Sequence, residues 1–565
     1  MPLLLQPIIL ALLSGAVIFV IPKKFWFFRQ SILLISTFFI LFKSLWLFKL
    51  RPLDGFFKGE IFFSLDALSG FIFLAISLFG FIISLYSLGR DRENEYQSYY
   101  PYILWTIGMA QAVVLSNNIV GLIVFWGFLG LMLYLLVNQG GPEAIPAAKK
   151  ALIMVAGADG FLILGLAILW KMTETFNMHE ISVPISGRLS TISFLCILIA
   201  ALTRAGAIPF HSWVPEVAGK GPVAVTALFP ASLSKLLGIY LLGRICLSLY
   251  TLNQTMQTLL LIIGAFTIIT AVSLALIQYD LKKFLGYQAV SQVGYMVLGF
   301  GTGNTFGIIG ALFHLINSAI YNCGLFLSAG AVESRTKDSN LTNLGGLAKV
   351  MPFTFMAALI GSLAISGLPP LNGFVSKWLL YQSIIFLRDS GHKLWVVWLG
   401  VVMFGSALTL ASFIKFLRAV FFGEMPENLK RGEGRLKEVG LAQIIPLIIL
   451  SLFSVAFGLF AFKVPLPFIN EVVEKPLEYA KLWPAPQAII FILIALAIGY
   501  IIYLRRPIYA LAHKKVFDPY DQASRGIFYI SGLLQKLHSG ILLTYLAWAL
   551  FGLVALLVIF LEHLF

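Results

Sequence analysis

Arg204, Lys235, Lys377 and Lys415 stand inside stretches that are otherwise apolar. A cation within a bilayer costs several kcal/mol, so such residues face a bundle interior or water and mark ion paths. Lys235, in PASLSKLLGIYLLGRI, is near the middle of its stretch, too deep for its stem to reach either surface. Lys377 follows the interruption GLPPLNG by four residues, and Arg204 precedes Pro209 by five. Backbone groups freed at a broken helix need water or protein partners, so a cation beside a break meets both. A lysine in apolar surroundings can release its proton and take it back, whereas an arginine stays charged. The chemistry open to the lysines is therefore proton loading and release, with Arg204 as a fixed charge. Lys415 lies about two turns from the end of its stretch and either snorkels outward or joins the others.

His314, Ser318 and Asn322 recur every four residues in ALFHLINSAIYNCGLF and share one helix face, flanked by Asn317 and Tyr321. Such a stripe either relays protons or binds neighbouring helices by hydrogen bonds; sequence does not separate the two. A histidine, which changes charge near neutral pH, favours the relay. His211, in IPFHSWVPE, adds a second imidazole beside Pro209. Asp159, Glu216 and Asp280 are candidate charge partners, Asp280 with Lys282 and Lys283 reading as a surface ion pair.

The elements that must hold these groups are membrane spans. Hydrophobic residues make up 59% of 565, charged residues 12%, and mean hydropathy is +0.92, far below the charge that a water-solvated chain carries. The expected fold is an all-α polytopic membrane protein of about 14–16 transmembrane helices. The span over 352–387 contains GLPPLNG and is read as two half-helices. Leu3 to Ile21, without a basic start or cleavage motif, is read as a retained first span. Cys196, Cys246 and Cys323 lie in apolar stretches at no ligand spacing and read as packing residues. The net charge of +15 fits basic loops and does not call for nucleic acid. Lys and Arg concentrate in odd-numbered loops, which places those loops in the cytoplasm and both termini outside. Residues 505–540 read as a plain loop or as an amphipathic surface segment before a final span at 541–562.

Several long motifs, in order, resemble those of antiporter-like proton-channel subunits of the complex I superfamily, shared by complex I, Mrp cation/proton antiporters and membrane-bound hydrogenases. They are IPFHSWVPE (208–216), YDLKKFLGYQAVSQVGYMVLG (279–299), ALFHLINSAIYNCGLFLSAGAV (311–332), LGGLAKVMPFT (344–354) and GLPPLNGFVSKWLLY (367–381), with a weaker match in FDPYDQAS…LHSG. The resemblance implies two inverted five-helix repeats, each with a broken helix: residues 101–248 (spans 4–8) and 258–422 (spans 9–13). Three N-terminal spans in 1–100 precede them, and C-terminal spans in 441–565 follow. It implies a hydrated mid-membrane proton path on which Arg204, His211, Lys235, His314, Ser318, Asn322, Lys377 and Lys415 are the candidate members. The family's fifth-span glutamate is Gly127 here, its seventh-span lysine is Arg204, and its eleventh-span histidine and lysine are Ser318 and Asn322. The resemblance further implies a subunit of a redox-driven ion pump in a prokaryotic cytoplasmic membrane. Its partners would be other antiporter-like and small membrane subunits, with iron–sulfur clusters or other redox cofactors on peripheral subunits. Alternatives are a non-redox Mrp-type antiporter subunit and a non-conducting scaffold. No nucleotide-binding glycine motif and no paired CxxC occurs, so no cofactor and no catalytic site of its own is expected in this chain.

Overall fold

The computed structural model describes residues 2–57, 60–89, 98–389, 391–430, 436–473 and 486–505, all within the first of two compact units, Met1–Lys514. The expected surface segment beyond residue 505, the span at 541–562 and the FDPYDQAS…LHSG match lie outside the described residues. The chain starts with α1 (Pro2–Val20) and α2 (Trp26–Leu50), followed by a hairpin of β1 (Leu53–Phe57) and β2 (Glu60–Leu65) that sequence did not indicate. The hairpin leads into α3 (Ala67–Ser87). Asp66 caps α3: its carboxylate accepts from Ser69 N–H while the Ser69 hydroxyl accepts from Asp66 N–H.

The middle of the chain comprises α4 (Tyr99–Leu115), α5 (Ile119–Asn138), α6 (Ile145–Thr173), α7 (Arg188–Ala205), α8 (Trp213–Lys220), α9 (Val223–Leu228) and α10 (Ser234–Arg244). It continues with α11 (Gln254–Leu276), α12 (Leu281–Gly301), α13 (Thr305–Thr336), α14 (Pro352–Ser366), α15 (Asn372–Asp389) and α16 (Trp395–Phe421). After these come the short α17 (Glu427–Lys430), α18 (Leu441–Leu459), α19 (Pro465–Asn470) and α20 (Pro486–Arg505). A two-residue parallel pairing of β3 (Val183–Pro184) with β4 (Tyr250–Thr251) ties two loops together.

Eleven helices among the described residues are long and apolar enough to cross a membrane, and the chain is an integral membrane protein. Other spans expected from sequence fall short for identifiable reasons. α14 and α15 are halves of one crossing, α4 has 17 residues, and α12 carries Lys282, Lys283, Gln288 and Gln292. α13 and the crossing that contains α10 are almost wholly buried, whereas α6 is mostly exposed and its outer face shows Ile153, Phe161 and Leu164. Apolar side chains on outer faces are matched to lipid, so glycines rather than hydrophobic burial set the closest helix contacts. A Cβ on Gly294 of α12 would lie 2.7 Å from the Gly264 carbonyl oxygen of α11, and nothing larger fits between those backbones.

Candidate functional site

Two crossings are interrupted by the same backbone device. α7 stops where Gly206 takes a left-handed conformation at φ +84°, and α14 stops at Gly367 with φ +87°. Gly206 N–H donates to the Leu202 and Thr203 carbonyls and Ala207 N–H to Leu202; Gly367 N–H donates to Leu363 and Ala364, and Leu368 N–H to Leu363. Phe210 N–H then closes on Ala207, and Leu371 N–H on Leu368. The correspondence holds residue for residue. α8 and α15 resume beyond the breaks. The twelfth expected span is thus two half-helices, α14 and α15, and LTRAGAIPFHSW contains the break between α7 and α8.

Between the breaks runs a file of buried polar side chains. Lys235 of α10 is 1% exposed, and its Nζ donates to Ser318 Oγ of α13 at 3.3 Å. The turn before it, Phe229–Leu233, is π-helical: Pro230 has no N–H to donate, and Ser232 Oγ donates to the Ala227 and Leu228 carbonyls. Asn322 Nδ2 donates to Ser318 Oγ at 3.0 Å, so Ser318 gathers both neighbours. One turn away, His314 Nε2 lies 3.2 Å from Gln292 Oε1, and Tyr321 Oη is 3.4 Å from each. His314 Nδ1 is 3.0 Å from Ser376 Oγ of α15. Lys377, next in the chain, is 1% exposed; its Nζ donates to Ile365 O at 2.9 Å and lies 5.1 Å from the Tyr295 ring centre. Its stem thus folds back onto the C-terminal carbonyls of α14, the negative end of that half-helix. Tyr295 and Tyr381 both hydrogen-bond Ser406 of α16 at 3.0 Å. Lys235, Ser318 and Asn322 thus form one hydrogen-bonded group and His314, Gln292, Tyr321 and Ser376 a second, one turn away on α13, with Lys377 beside Ser376 and bonded to α14.

Arg204 belongs to a separate cluster. It is 1% exposed at the end of α7; its Nη2 donates to Trp126 O of α5 at 2.9 Å, and its guanidinium lies 4.8 Å from the Trp126 ring centre. Asp159 of α6 is the counter-ion, with Oδ2 3.8 Å from Nη2 and Oδ1 accepting from Trp126 Nε1 at 2.8 Å. Gly127 faces outward and contributes nothing to the pair.

The remaining expected residues lie elsewhere. His211 is buried with its ring 6.2 Å from that of Tyr287. Lys415 is half-buried and donates to Leu276 O at 2.8 Å and Gln278 O at 3.0 Å, capping the end of α11 rather than snorkelling. Asp280 does not pair with Lys282 or Lys283. It caps α12 by accepting from Lys283 N–H and holds the Ser339 hydroxyl, because a carboxylate at a helix start is drawn to free N–H groups. Lys283 instead pairs with Glu216 at 3.0 Å and Lys282 with Glu333 at 2.8 Å. Asp280, Lys282 and Glu333 line a polar cleft of about 600 Å³ together with Gln139, Glu143 and Lys220. The Glu143 carboxylate, bonded to Lys220 at 2.7 Å, raises the Lys220 pKa. Among the described residues no group of His, Cys, Asp or Glu is placed to hold a metal ion.

Sequence reasoning missed Gln292, Tyr295, Ser376, Tyr381 and Ser406, which complete the file. Only Ser376, beside Lys377, carried a local signal; the others are single polar residues whose value arises from which helix they face.

A family model described as NADH:quinone oxidoreductase/Mrp antiporter, transmembrane, matches residues 116–409. The Na(+)/H(+) antiporter subunit A1 of Staphylococcus haemolyticus is 29% identical over 421 residues, covering 70% of this chain and 52% of its own. The NAD(P)H-quinone oxidoreductase subunit 5, organellar chromatophore 1, of Paulinella chromatophora is 30% identical over 445 residues, covering 72% of this chain and 65% of its own. The fold matches a chain of the Mrp complex from Dietzia sp. DQ12-45-1b with a TM-score of 0.87 at 22% identity, over 99% of this chain and 63% of that one. The chain thus spans between half and two thirds of the length of these relatives.

Proposed function

The chain belongs to the NADH:quinone oxidoreductase/Mrp antiporter transmembrane family, and from that premise we propose that it translocates protons as the membrane subunit of a multi-subunit ion pump. One observation carries this: Lys235 bonded to Ser318, His314 bonded to Ser376 one turn away on α13, and Lys377 next to Ser376 are all buried where α10, α13 and α15 meet. Two lysines and a histidine away from lipid are the group types that bind and release protons, and the serines, Asn322, Gln292 and Tyr321 offer donors and acceptors between them. In a purely structural core such cations would be paired with carboxylates; Lys377 instead rests on backbone carbonyls and Lys235 on a hydroxyl.

The matching breaks at Gly206 and Gly367 support two repeats, over 101–248 and 258–422, related by inversion because five spans separate them. Loops near residues 139–143, 219–223, 280–282 and 333–339 border one cleft, which supports a common side for the odd-numbered loops. With the basic bias of those loops, that side is the cytoplasmic one of a prokaryotic membrane, and both termini lie outside. The chain would assemble with other antiporter-like and small membrane subunits. In the redox-driven reading, favoured by similarity to a quinone oxidoreductase subunit, peripheral partners hold the iron–sulfur or other redox cofactors. Similarity to a Na(+)/H(+) antiporter subunit favours the second reading, a cation/proton antiporter without a redox step.

Lys235→Ala and Lys377→Ala are expected to stop proton uptake by the reconstituted complex, read by a pH-sensitive dye in proteoliposomes, while the subunits still assemble. Wild-type uptake by both variants would remove the basis of the reading and leave a scaffold. Purifying the complex from its native membrane with its partners identified separates the redox pump from the antiporter.

A further inference from the structure

Two consecutive prolines leave two carbonyls at the end of α14 without their helical donors. The N–H groups that would reach Ile365 O and Ser366 O lie four residues on, and both positions, Pro369 and Pro370, lack one. Gly367 N–H and Leu368 N–H turn back to Leu363 and Ala364 instead. A cation takes the place of the missing donors. Lys377 Nζ lies 2.9 Å from Ile365 O, 3.4 Å from Ser366 O and 5.1 Å from the Tyr295 ring centre. Where α15 begins, pressed against this end of α14 at Gly373, Asn372 is fully buried. Among the described residues neither the oxygen nor the nitrogen of its side-chain amide has a hydrogen-bond partner. The break after α7 is closed differently, by a neutral group. Seven residues past Gly206, Trp213 donates its indole N–H to Thr203 O at 3.0 Å, whereas the residue seven past Gly367 is Phe374, which has nothing to donate.

We propose that the end of α14 is a binding site for a monovalent alkali cation, with the Lys377 ammonium as its built-in competitor. The assignment rests on the reading of the chain as an ion-conducting subunit and gives its antiporter form a cation site. Carbonyl oxygens can replace the water shell of such an ion, and the C-terminal ends of half-helices within a membrane present them. Neutral oxygens suit a single charge, where a divalent ion would call for carboxylates. Ion and ammonium exclude one another, because two positive charges in contact repel strongly in apolar surroundings. The exchange balances: one alkali cation enters, one N–H bond of the ammonium breaks, its proton leaves for solvent, and the amine remains neutral. The net charge of the site is unchanged. Around it the titratable groups are His314, which bonds Ser376 and Gln292, and Tyr295, Tyr321 and Tyr381. Charged groups on the packed elements are engaged elsewhere. α14 and α18 carry none, and α20 only its last residue, Arg505. On α12 and α13, Lys282 pairs with Glu333, Lys283 with Glu216, and Arg335 bonds the Glu438 carbonyl. On α16, Lys415 caps α11 and Arg418 bonds Tyr503; Arg388 and Asp389 pair at the far end of α15.

The test uses the full chain in its purified native complex, with radioactive sodium and, as the larger ion, radioactive rubidium as the probes. Wild type should bind one of the two with an affinity that rises about tenfold per pH unit, since one proton is displaced per ion. Adding that ion should release protons to a pH-sensitive dye. Lys377→Ala should keep the binding and lose its pH dependence, because the carbonyls remain and the competitor is gone. Binding of both ions that ignores pH in the wild type, or no binding at all, overturns the assignment. So does an assembled Lys377→Ala complex that loses the binding or keeps its pH dependence. Proton release is read on the wild type, so its absence overturns the assignment even where a variant fails to assemble. If Lys377→Ala stops proton uptake while neither ion competes with protons, only this inference falls. If Lys235→Ala and Lys377→Ala take up protons as wild type does, the reading beneath it falls as well.

Discussion

Gly373, the second residue of α15, offers a way to perturb Lys377 without touching a polar group. An added Cβ would press on the end of α14, overlapping the Ala364 carbonyl oxygen and lying 2.8 Å from its carbon. Ordinary contact with carbon begins at 3.4 Å, so Gly373→Ala forces the half-helices apart by at least 0.6 Å, and the oxygen demands more. Lys377 is one turn further along the same face of α15, and its Nζ reaches back 2.9 Å to Ile365 O, the carbonyl next to Ala364. The same displacement takes that hydrogen bond to about 3.5 Å, the limit of a useful one. Overpacking of this kind costs about 1–3 kcal/mol. Losing a hydrogen bond from a charged donor adds about 1.5–3 kcal/mol. The expected result is an assembled complex with a lower unfolding temperature and a loss of proton uptake approaching that of Lys377→Ala. Gly157→Ala is the control: no atom lies within 4 Å of its Cβ, and helix propensity favours the change by about 1 kcal/mol. Wild-type uptake by Gly373→Ala, in a complex shown to carry the substitution, would refute the claim that Lys377 must be held on the carbonyls of α14.

Two further outcomes concern groups beside the path. Asp66, at the start of α3, is partly buried, which alone would raise its pKa. The Arg244 guanidinium, with His179 3.8 Å away and a hydrogen bond from Ser69 N–H, outweighs burial and holds the carboxyl far below the ordinary range. A depressed carboxyl stabilises the fold above its unfolded pKa of about 4, and that stabilisation fades as pH falls toward the folded value. Unfolding temperature should therefore show no loss from this group between pH 8 and about 4, and Asp66→Asn should cost about 3 kcal/mol across that range by stranding buried Arg244. A pH-dependent difference between wild type and variant above about pH 5 would contradict the pairing. Lys415→Met removes the donor from the Leu276 and Gln278 carbonyls and should lower stability by about 1–3 kcal/mol, which thermal unfolding of the purified complex measures.

Sequence alone carried the membrane architecture, because the cost of an unpaired backbone in lipid leaves few choices to a chain of this composition. It also located the interruption at GLPPLNG and singled out Lys235, His314, Ser318 and Lys377, since a polar group in an apolar run is visible without knowing its neighbours. What it could not supply was partnership. Asp280 looked like the mate of Lys282 and Lys283, yet helix-start N–H groups claimed it, and Glu333 and Glu216 claimed the lysines. Asp159 and Arg204 are far apart in the chain and meet only because α6 packs on α7 beside Trp126. Gln292 and Ser376 acquired their places from the faces that α12 and α15 turn toward His314. Hydropathy acts on each residue separately and is written locally. A proton path depends on distances of about 3 Å between side chains on different helices, and only the packed bundle sets those.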